Sequence, residues 1–314
     1  MNTQAVKKIL VPALLGTGIF TMTAAGIFTY VFYSPLGRQN DDYHILTPFR
    51  TQEEREKSIA LIDRLRSRPF EPVSILSRDG LRLCGRYYHH SDGAPLAILC
   101  HGYRGTPVRD FCGGADICFS EGLNVLMIEE RAHCESEGHV ISYGVNERFD
   151  VQAWTEYAVR RFGDGVRILL AGISMGAATV LMASALPLPP QVRGILADCP
   201  YTSPDEIIAE VGRAKGFPMK LLQPVVAFGA RVFGGFSLHA ADALDAVRGA
   251  KVPILLIHGE ADDFVPCEMS RRIADANRAL IDFHTFPGAG HGLSYLVDTD
   301  RYTALVHDFC ARIF

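Results

Sequence analysis

From Val73 onward the chain repeats one pattern, short apolar runs bounded by turn residues. The runs are VSIL at 73–76, LRLCGRYY at 81–88, LAILC at 96–100, NVLMI at 124–128, RILLAG at 167–172, GILAD at 194–198 and PILLIHG at 253–259. The first two flank Asp79-Gly80 and predict an antiparallel hairpin. The later runs are apolar almost throughout, as strands are when a parallel sheet is covered on both faces. Between them lie stretches of helical spacing at 147–162, 176–185 and 268–279. Strand alternating with helix predicts an α/β domain over 71–314, with a mostly parallel central sheet flanked by helices.

The interval 199–252 breaks this rhythm with three helix-like stretches at 204–211, 218–233 and 240–247. An insertion after a sheet strand predicts a small helical cap, about 201–248, over a site at the sheet's edge; ordinary packing helices are the alternative. Upstream, 34–70 reads as a linker followed by an amphipathic helix. Pro35, Gly37 and Pro48 mark the linker, and Ile59, Leu61, Ile62 and Leu65 mark the helix. Thr51 and Glu54 have the spacing of a capping box.

The first 33 residues predict a membrane anchor. Ile9 to Tyr33 carries no charged residue. At helical rise those roughly 25 residues reach about 37 Å, against about 30 Å of hydrocarbon. Lys7 and Lys8 precede the run, and Asp41 and Asp42 follow it. That asymmetry predicts a single-pass protein with its N-terminus in the cytoplasm and the remainder outside. A cleaved signal peptide competes, with small residues from Thr23 to Gly26, but the apolar run continues to Tyr33.

Composition narrows the class. With 314 residues and 48% hydrophobic content, the chain suits one large domain plus an appendage. Net charge is -4 and no basic stripe occurs, so no nucleic-acid partner is expected. The eight cysteines form no CxxC pair and read as buried free thiols, which pulls against an oxidising exterior.

The chemistry centres on Gly172-Ile173-Ser174-Met175-Gly176, which follows the strand RILLA and opens the helix AATVLMASAL. Serine on a tight strand-to-helix turn is exposed, and the helix N-terminus stabilises negative charge beside it. His291 lies in Gly288-Ala289-Gly290-His291-Gly292, a loop of small residues from which an imidazole can reach another strand's end. The acid should follow a strand and precede that histidine, and His258-Gly259-Glu260-Ala261-Asp262-Asp263 supplies two adjacent aspartates. An acid buried against the histidine points inward while its neighbour faces solvent, which leaves both open. The loop His101-Gly102-Tyr103-Arg104-Gly105 follows LAILC. It offers the backbone N–H of Tyr103, which with that of Met175 would form an oxyanion hole.

Taken together, HGYRG, GISMGA, HGEADDFVP and GAGHG resemble the α/β-hydrolase superfamily over roughly residues 71 to 314. Within it the sequence is similar to membrane-anchored bacterial serine hydrolases of the esterase and serine aminopeptidase-like branch. The resemblance implies the α/β-hydrolase fold and, through an HGxxDxxVP pattern, selects Asp262 over Asp263. It also implies a role for the loop Glu129 to Ser136. Relatives carry Asp-x-Arg-Gly-His-Gly-x-Ser there, whereas this chain has Glu129, Ala132 and Cys134 at the first and the two glycine positions.

Other candidates weigh less. His89, His90, His101, His133 and His139 lack metal-ligand spacing and read as loop or surface residues. Asp198 is an alternative acid with a structural hydrogen-bonding role as its plainer reading. Cys134 and Cys267 sit near the active-site loops without an electropositive setting. No phosphate loop or dinucleotide fingerprint occurs, so no cofactor and no metal are expected. The sequence therefore predicts a serine hydrolase. Ser174 is its nucleophile, His291 its base and Asp262 the orienting acid, and it cleaves a carboxylic ester through an acyl-enzyme. The apolar insertion residues Leu221, Leu222, Val225, Val226, Phe228 and Phe233 favour a small-molecule acyl substrate. A peptidase or amidase, an acyltransferase and a non-catalytic membrane-tethered binding protein are the alternatives.

Overall fold

Alternate residues of one strand show how the core is divided. Ile168 and Leu170 face one apolar layer, Leu169 and Ala171 the other. A strand covered on both sides has no polar face, which is why these runs are apolar throughout. The computed structural model describes residues 18–35, 41–43 and 51–314. Its strands are β1 (Glu71–Leu76), β2 (Arg82–Tyr88), β3 (Leu96–Cys100), β4 (Asn124–Ile128), β5 (Ile168–Ile173), β6 (Val192–Asp198), β7 (Ile254–Gly259) and β8 (Ile281–Phe286). They form one sheet in the order β1-β2-β4-β3-β5-β6-β7-β8. The β1–β2 hairpin forms as its Asp79-Gly80 turn predicts, and β2 also runs antiparallel to β4. From β4 to β8 every pairing is parallel.

The helices are α1 (residues 18–31), α2 (Gln52–Arg66), α3 (Pro107–Ser120), α4 (Glu147–Phe162), α5 (Met175–Ala183), α6 (Pro204–Ala214), α7 (Met219–Val232), α8 (Ala243–Ala246), α9 (Cys267–Ala276), α10 (Ser294–Val297) and α11 (Thr299–Ile313). Helices α2, α3 and α11 cover one face of the sheet, with Leu65, Val108 and Phe309 in its apolar layer. The other face carries Trp154 of α4, Val180 of α5, Ile207 of α6 and Ile273 of α9. Thr51 begins α2 in a reciprocal capping box with Glu54.

The predicted membrane anchor is overturned. Among the described residues no helix is long and apolar enough to cross a membrane. The single-pass location with an external catalytic domain goes with it. Residues 1–17, where the predicted span begins, lie outside the described residues, as do 36–40 and 44–50 of the linker. From residue 18 one side of the apolar run packs on protein, while Ile19, Met22 and Tyr30 stay exposed. Ala24, Phe28 and Phe32 are buried. Phe20 meets Phe228 edge-on at 5.1 Å, and Phe28 packs on Phe233 at 5.8 Å. The Ala24 carbonyl oxygen lies 3.0 Å from where a Cβ on Gly229 would stand, so α1 and α7 touch backbone to backbone. After α1 the chain is stitched to the domain by Ile141 N–H to Phe32 O (2.8 Å) and Ser34 N–H to His139 O (2.8 Å).

The insertion between β6 and β7 holds α6, α7 and α8. Its apolar face meets α1, which accounts for Phe228 and Phe233, while Leu221 stays exposed.

Arg131 ties the antiparallel edge to the centre. Buried itself, it donates to both oxygens of Asp150 (2.6 and 2.6 Å) and both oxygens of Asp79 in the β1–β2 turn (2.9 and 3.1 Å). Replacing Arg131 by alanine leaves the buried Asp150 charge uncompensated. The expected loss is about 3–5 kcal/mol of stability, read from the urea midpoint at unchanged slope. A loss under about 1 kcal/mol, the scale of an exposed pair, would refute this role.

Candidate active site

The strand order reverses around β3 and β5, and a crevice opens beyond the carboxyl ends of strands at such a point. Ser174 follows β5 there, with φ 54° and ψ −115°. Such a conformation costs a residue with a side chain about 1–3 kcal/mol and persists where the surroundings fix it. Here the Ser174 N–H donates to Asp198 O (2.8 Å). A Cβ on Gly176 would stand 1.9 Å from Cys100 O, and one on Gly172 would stand 2.3 Å from the carbonyl of Gly176. Both positions therefore require glycine. Met175 opens α5, where an N–H has no acceptor within the helix.

Three side chains from three loops meet at this point. His291 Nε2 lies 2.8 Å from Ser174 Oγ, and its Nδ1 lies 2.7 Å from Asp262 Oδ2. Asp262 Oδ1 accepts the N–H groups of Phe264 (2.9 Å) and Val265 (2.8 Å). Burial alone would raise the Asp262 carboxyl. The charge of His291 and the hydrogen bonds from His258 and His291 outweigh it and hold the group well below the usual carboxylate range. Asp263 is exposed. A Cβ on Gly259 would stand 2.4 Å from Ala289 O, so the loops carrying acid and imidazole touch.

Sequence reading missed His258. It is fully buried, with Nε2 3.1 Å from Asp262 Oδ2 and 2.9 Å from Val265 O. Both neighbours are acceptors, so Nε2 carries the proton. Nδ1 meets Ser270 Oγ at 2.7 Å. The available signal was its place four residues before Asp262.

The loop after β3 lies against Ser174, for a Cβ on Gly102 would stand 3.4 Å from the serine Cβ. Gly102 N–H donates to Asp110 Oδ2 (2.8 Å), Arg104 N–H to His133 Nε2 (2.9 Å) and Gly105 N–H to Gly102 O (3.0 Å). His101 Nε2 accepts the Glu130 N–H (3.0 Å). The other ring nitrogens of His101 and His133 meet Gly102 O and Arg131 O, each at 2.9 Å. Each imidazole accepts with one nitrogen and donates with the other, as a neutral ring does. Burial pushes them down to about 4 and about 3. They fix loops. His139 stacks on Tyr33 and His89 packs against Tyr87, both in the periphery.

A cavity of about 180 Å³ adjoins Ser174 and His291. Among the described residues its lining includes none from the insertion, so the apolar side chains expected there do not form it. Cys199 Sγ, a carboxylate oxygen of Asp262 and a ring nitrogen of His291 lie within 4.8 Å of one another, the one such cluster among the described residues. Burial raises the Cys199 thiol far above its usual value, and Asp262 and His291 are already hydrogen-bonded to each other. Cys267 is raised by burial too, and Cys134 is half-buried.

The family model described as alpha/beta hydrolase family matches residues 97–306. The uncharacterized protein YqkD of Bacillus subtilis is 25% identical over 273 residues, covering 87% of this chain and 84% of that protein. The uncharacterized protein MT2364 of Mycobacterium tuberculosis is 28% identical over 230 residues, covering 72% and 74%. Among solved structures, an esterase of Pyrococcus furiosus superposes with a TM-score of 0.65 at 22% identity, covering 80% of this chain and 93% of that one.

The depressed Asp262 carboxyl sets a pH dependence. Its folded value lies below the unfolded value of about 3.9, so its contribution is present above that pH and is lost as pH falls below it. In urea unfolding, the stability gap between wild type and Asp262→Asn should shrink as pH falls from about 5 to below about 4. A gap that stays level or widens over that acidic window would contradict the assignment.

Proposed function

Because the chain belongs to the alpha/beta hydrolase family, we propose that it is a serine hydrolase cleaving a carboxylic ester or related acyl compound with Ser174, His291 and Asp262. The observation that carries this reading is the continuous series from Asp262 Oδ2 to His291 Nδ1 (2.7 Å) and from His291 Nε2 to Ser174 Oγ (2.8 Å). Asp262 holds the imidazole with Nδ1 protonated, which leaves Nε2 free to take the serine proton. Ser174 Oγ then attacks the substrate carbonyl. The oxyanion is stabilised by the N–H groups of Met175 and Tyr103. His291 returns its proton to the leaving oxygen, the C–O bond breaks, and an acyl-enzyme remains for water to hydrolyse by the same steps. The apolar cavity beside Ser174 and the esterase named among the structural neighbours support an ester over a peptide.

A fluorophosphonate probe tests this directly. Wild type should be labelled at Ser174, and Ser174→Ala should not. Hydrolysis of p-nitrophenyl esters should fall about 10⁴-fold or more in Ser174→Ala and His291→Ala, and about 10⁴-fold in Asp262→Asn. An unlabelled, inactive wild type that still binds acyl ligands would leave a binding protein instead.

A further inference from the structure

Two helices of this chain turn apolar faces outward. On α7 the exposed positions Leu221, Pro224, Phe228 and Val232 follow one another at helical spacing. On α1 the exposed positions Ile19, Met22, Gly26 and Tyr30 repeat that spacing. The solvent side of a surface helix is ordinarily its charged side, yet Met22 and Leu221 are each 75% exposed. The opposite faces are buried in protein, through Ala24, Phe28 and Phe32 on one helix and Val226 and Ala230 on the other. The two stripes form one patch, because Phe20 and Phe228, both exposed, meet at 5.1 Å. The hydroxyls of α1 are turned back on their own helix. Thr23 donates to Ile19 O and Thr29 to Ala25 O (2.9 Å each), which satisfies both protons without water.

Charge singles out the same surface. The chain holds 35 acidic residues against 31 lysines and arginines, yet residues 1–40 and 211–241 contain no acid at all. The second stretch carries Arg213, Lys215, Lys220 and Arg231, all exposed. Arg213 pairs with Glu210. Lys220 and Arg231 adjoin Leu221 and Val232 in the chain, and Lys215 Nζ lies 3.0 Å from the Tyr30 hydroxyl. An exposed apolar patch is thus bordered by cations in a protein whose net charge is -4.

We propose that α1 and α7 together dock this protein on the surface of an anionic lipid bilayer, with Ile19, Met22, Leu221 and Val232 entering the headgroup region and Lys215, Lys220 and Arg231 meeting lipid phosphates. The attachment is peripheral and distinct from the span excluded above, because each helix keeps one face in the protein core. A bilayer offers hydrocarbon and negative charge along one plane, which is the chemistry of this patch. A second copy of the chain fits less well, since a two-fold contact sets a patch against itself and would bring these cations together. Tyr103 lines the cavity beside Ser174, and its hydroxyl holds Val31 O near the end of α1, so the crevice stands beside a docking helix.

The test is co-sedimentation of the full chain with vesicles of phosphatidylcholine alone and of phosphatidylcholine with about 30% phosphatidylglycerol. Wild type should bind the anionic vesicles about tenfold or more tighter than the neutral ones, and the difference should shrink at about 0.5 M salt. Met22→Glu and Leu221→Glu should each weaken binding to anionic vesicles by about tenfold or more. Lys220→Glu/Arg231→Glu should bring the two lipids to within about twofold of each other. All four positions are exposed, so urea midpoints should match wild type. Should one variant unfold, the others and the salt series decide. The proposal is overturned if wild type binds neither vesicle or binds both equally. It is also overturned by binding that both single glutamate variants leave unchanged, which would move the contact to residues 1–17. A lipid-free dimer that Leu221→Glu dissociates, with no vesicle binding, would assign the face to a second copy instead.

Discussion

At Ser174 the chain leaves a strand and enters a helix with no loop between them. β5 ends at Ile173 and α5 starts at Met175, so one residue makes the whole turn, with φ 54°. That turn closes because Gly176 has no side chain. Its Cα lies against the last residue of β3, where a Cβ would stand 1.9 Å from Cys100 O. The same contact fixes the height of the loop after β3, whose Gly102 borders the serine. One close approach between backbone segments thus sets the hydroxyl, the start of α5 and the neighbouring loop at once. The strain is carried by the sheet through Ser174 N–H to Asp198 O.

From the other side of the crevice the acid is held as firmly as the serine. Asp262 receives two backbone N–H groups on one oxygen and faces two imidazoles with the other. His258 is itself anchored by Ser270 and Val265. Hydrogen bonds therefore run from α9 through His258, Asp262 and His291 to Ser174, with a carboxylate that neighbouring donors keep ionised despite its burial. An imidazole positioned by such a carboxylate has one orientation and one tautomer available to it.

Local spacing made much of this legible. Apolar runs bounded by turns marked the strands, and a serine between glycines at a strand-to-helix junction marked the turn. Other features depend on contacts between distant segments. Asp262 and Asp263 differ only in which one faces a histidine 28 or 29 residues later, so the choice needed the resemblance. His258 reads as the end of an apolar strand until Asp262 folds back on it. Ala132 and Cys134 stand where relatives have glycine, yet both adopt the left-handed conformation, with φ 62° and 47°. The loop shape persists because Arg131, His133 and Ser136 hold it at fixed points, through Asp150, Arg104 N–H and Glu129 O. The uncharged N-terminal run looks the same whether lipid or protein covers it. From residue 18 on, one side of it is covered by the apolar face of α7, some 200 residues away, and the other side is exposed.

That cover links the N-terminal helix to the loop beside Ser174. The last carbonyls of a helix need donors from outside it. Those of α1 receive them from that loop, through the Tyr103 hydroxyl to Val31 O (2.8 Å) and the Arg104 guanidinium to Tyr30 O (2.8 Å). Asp110 binds the same loop at Gly102 and His133 binds it at Arg104 N–H, while Tyr103 stacks on Tyr143 at 5.0 Å. In the oxyanion role proposed for this loop, preorganisation would matter, because donors that need not reorient during a reaction stabilise charge most. Here that rigidity is drawn from α1, α3, the loop after β4 and the segment before α4. The N-terminal helix belongs to the support of the site.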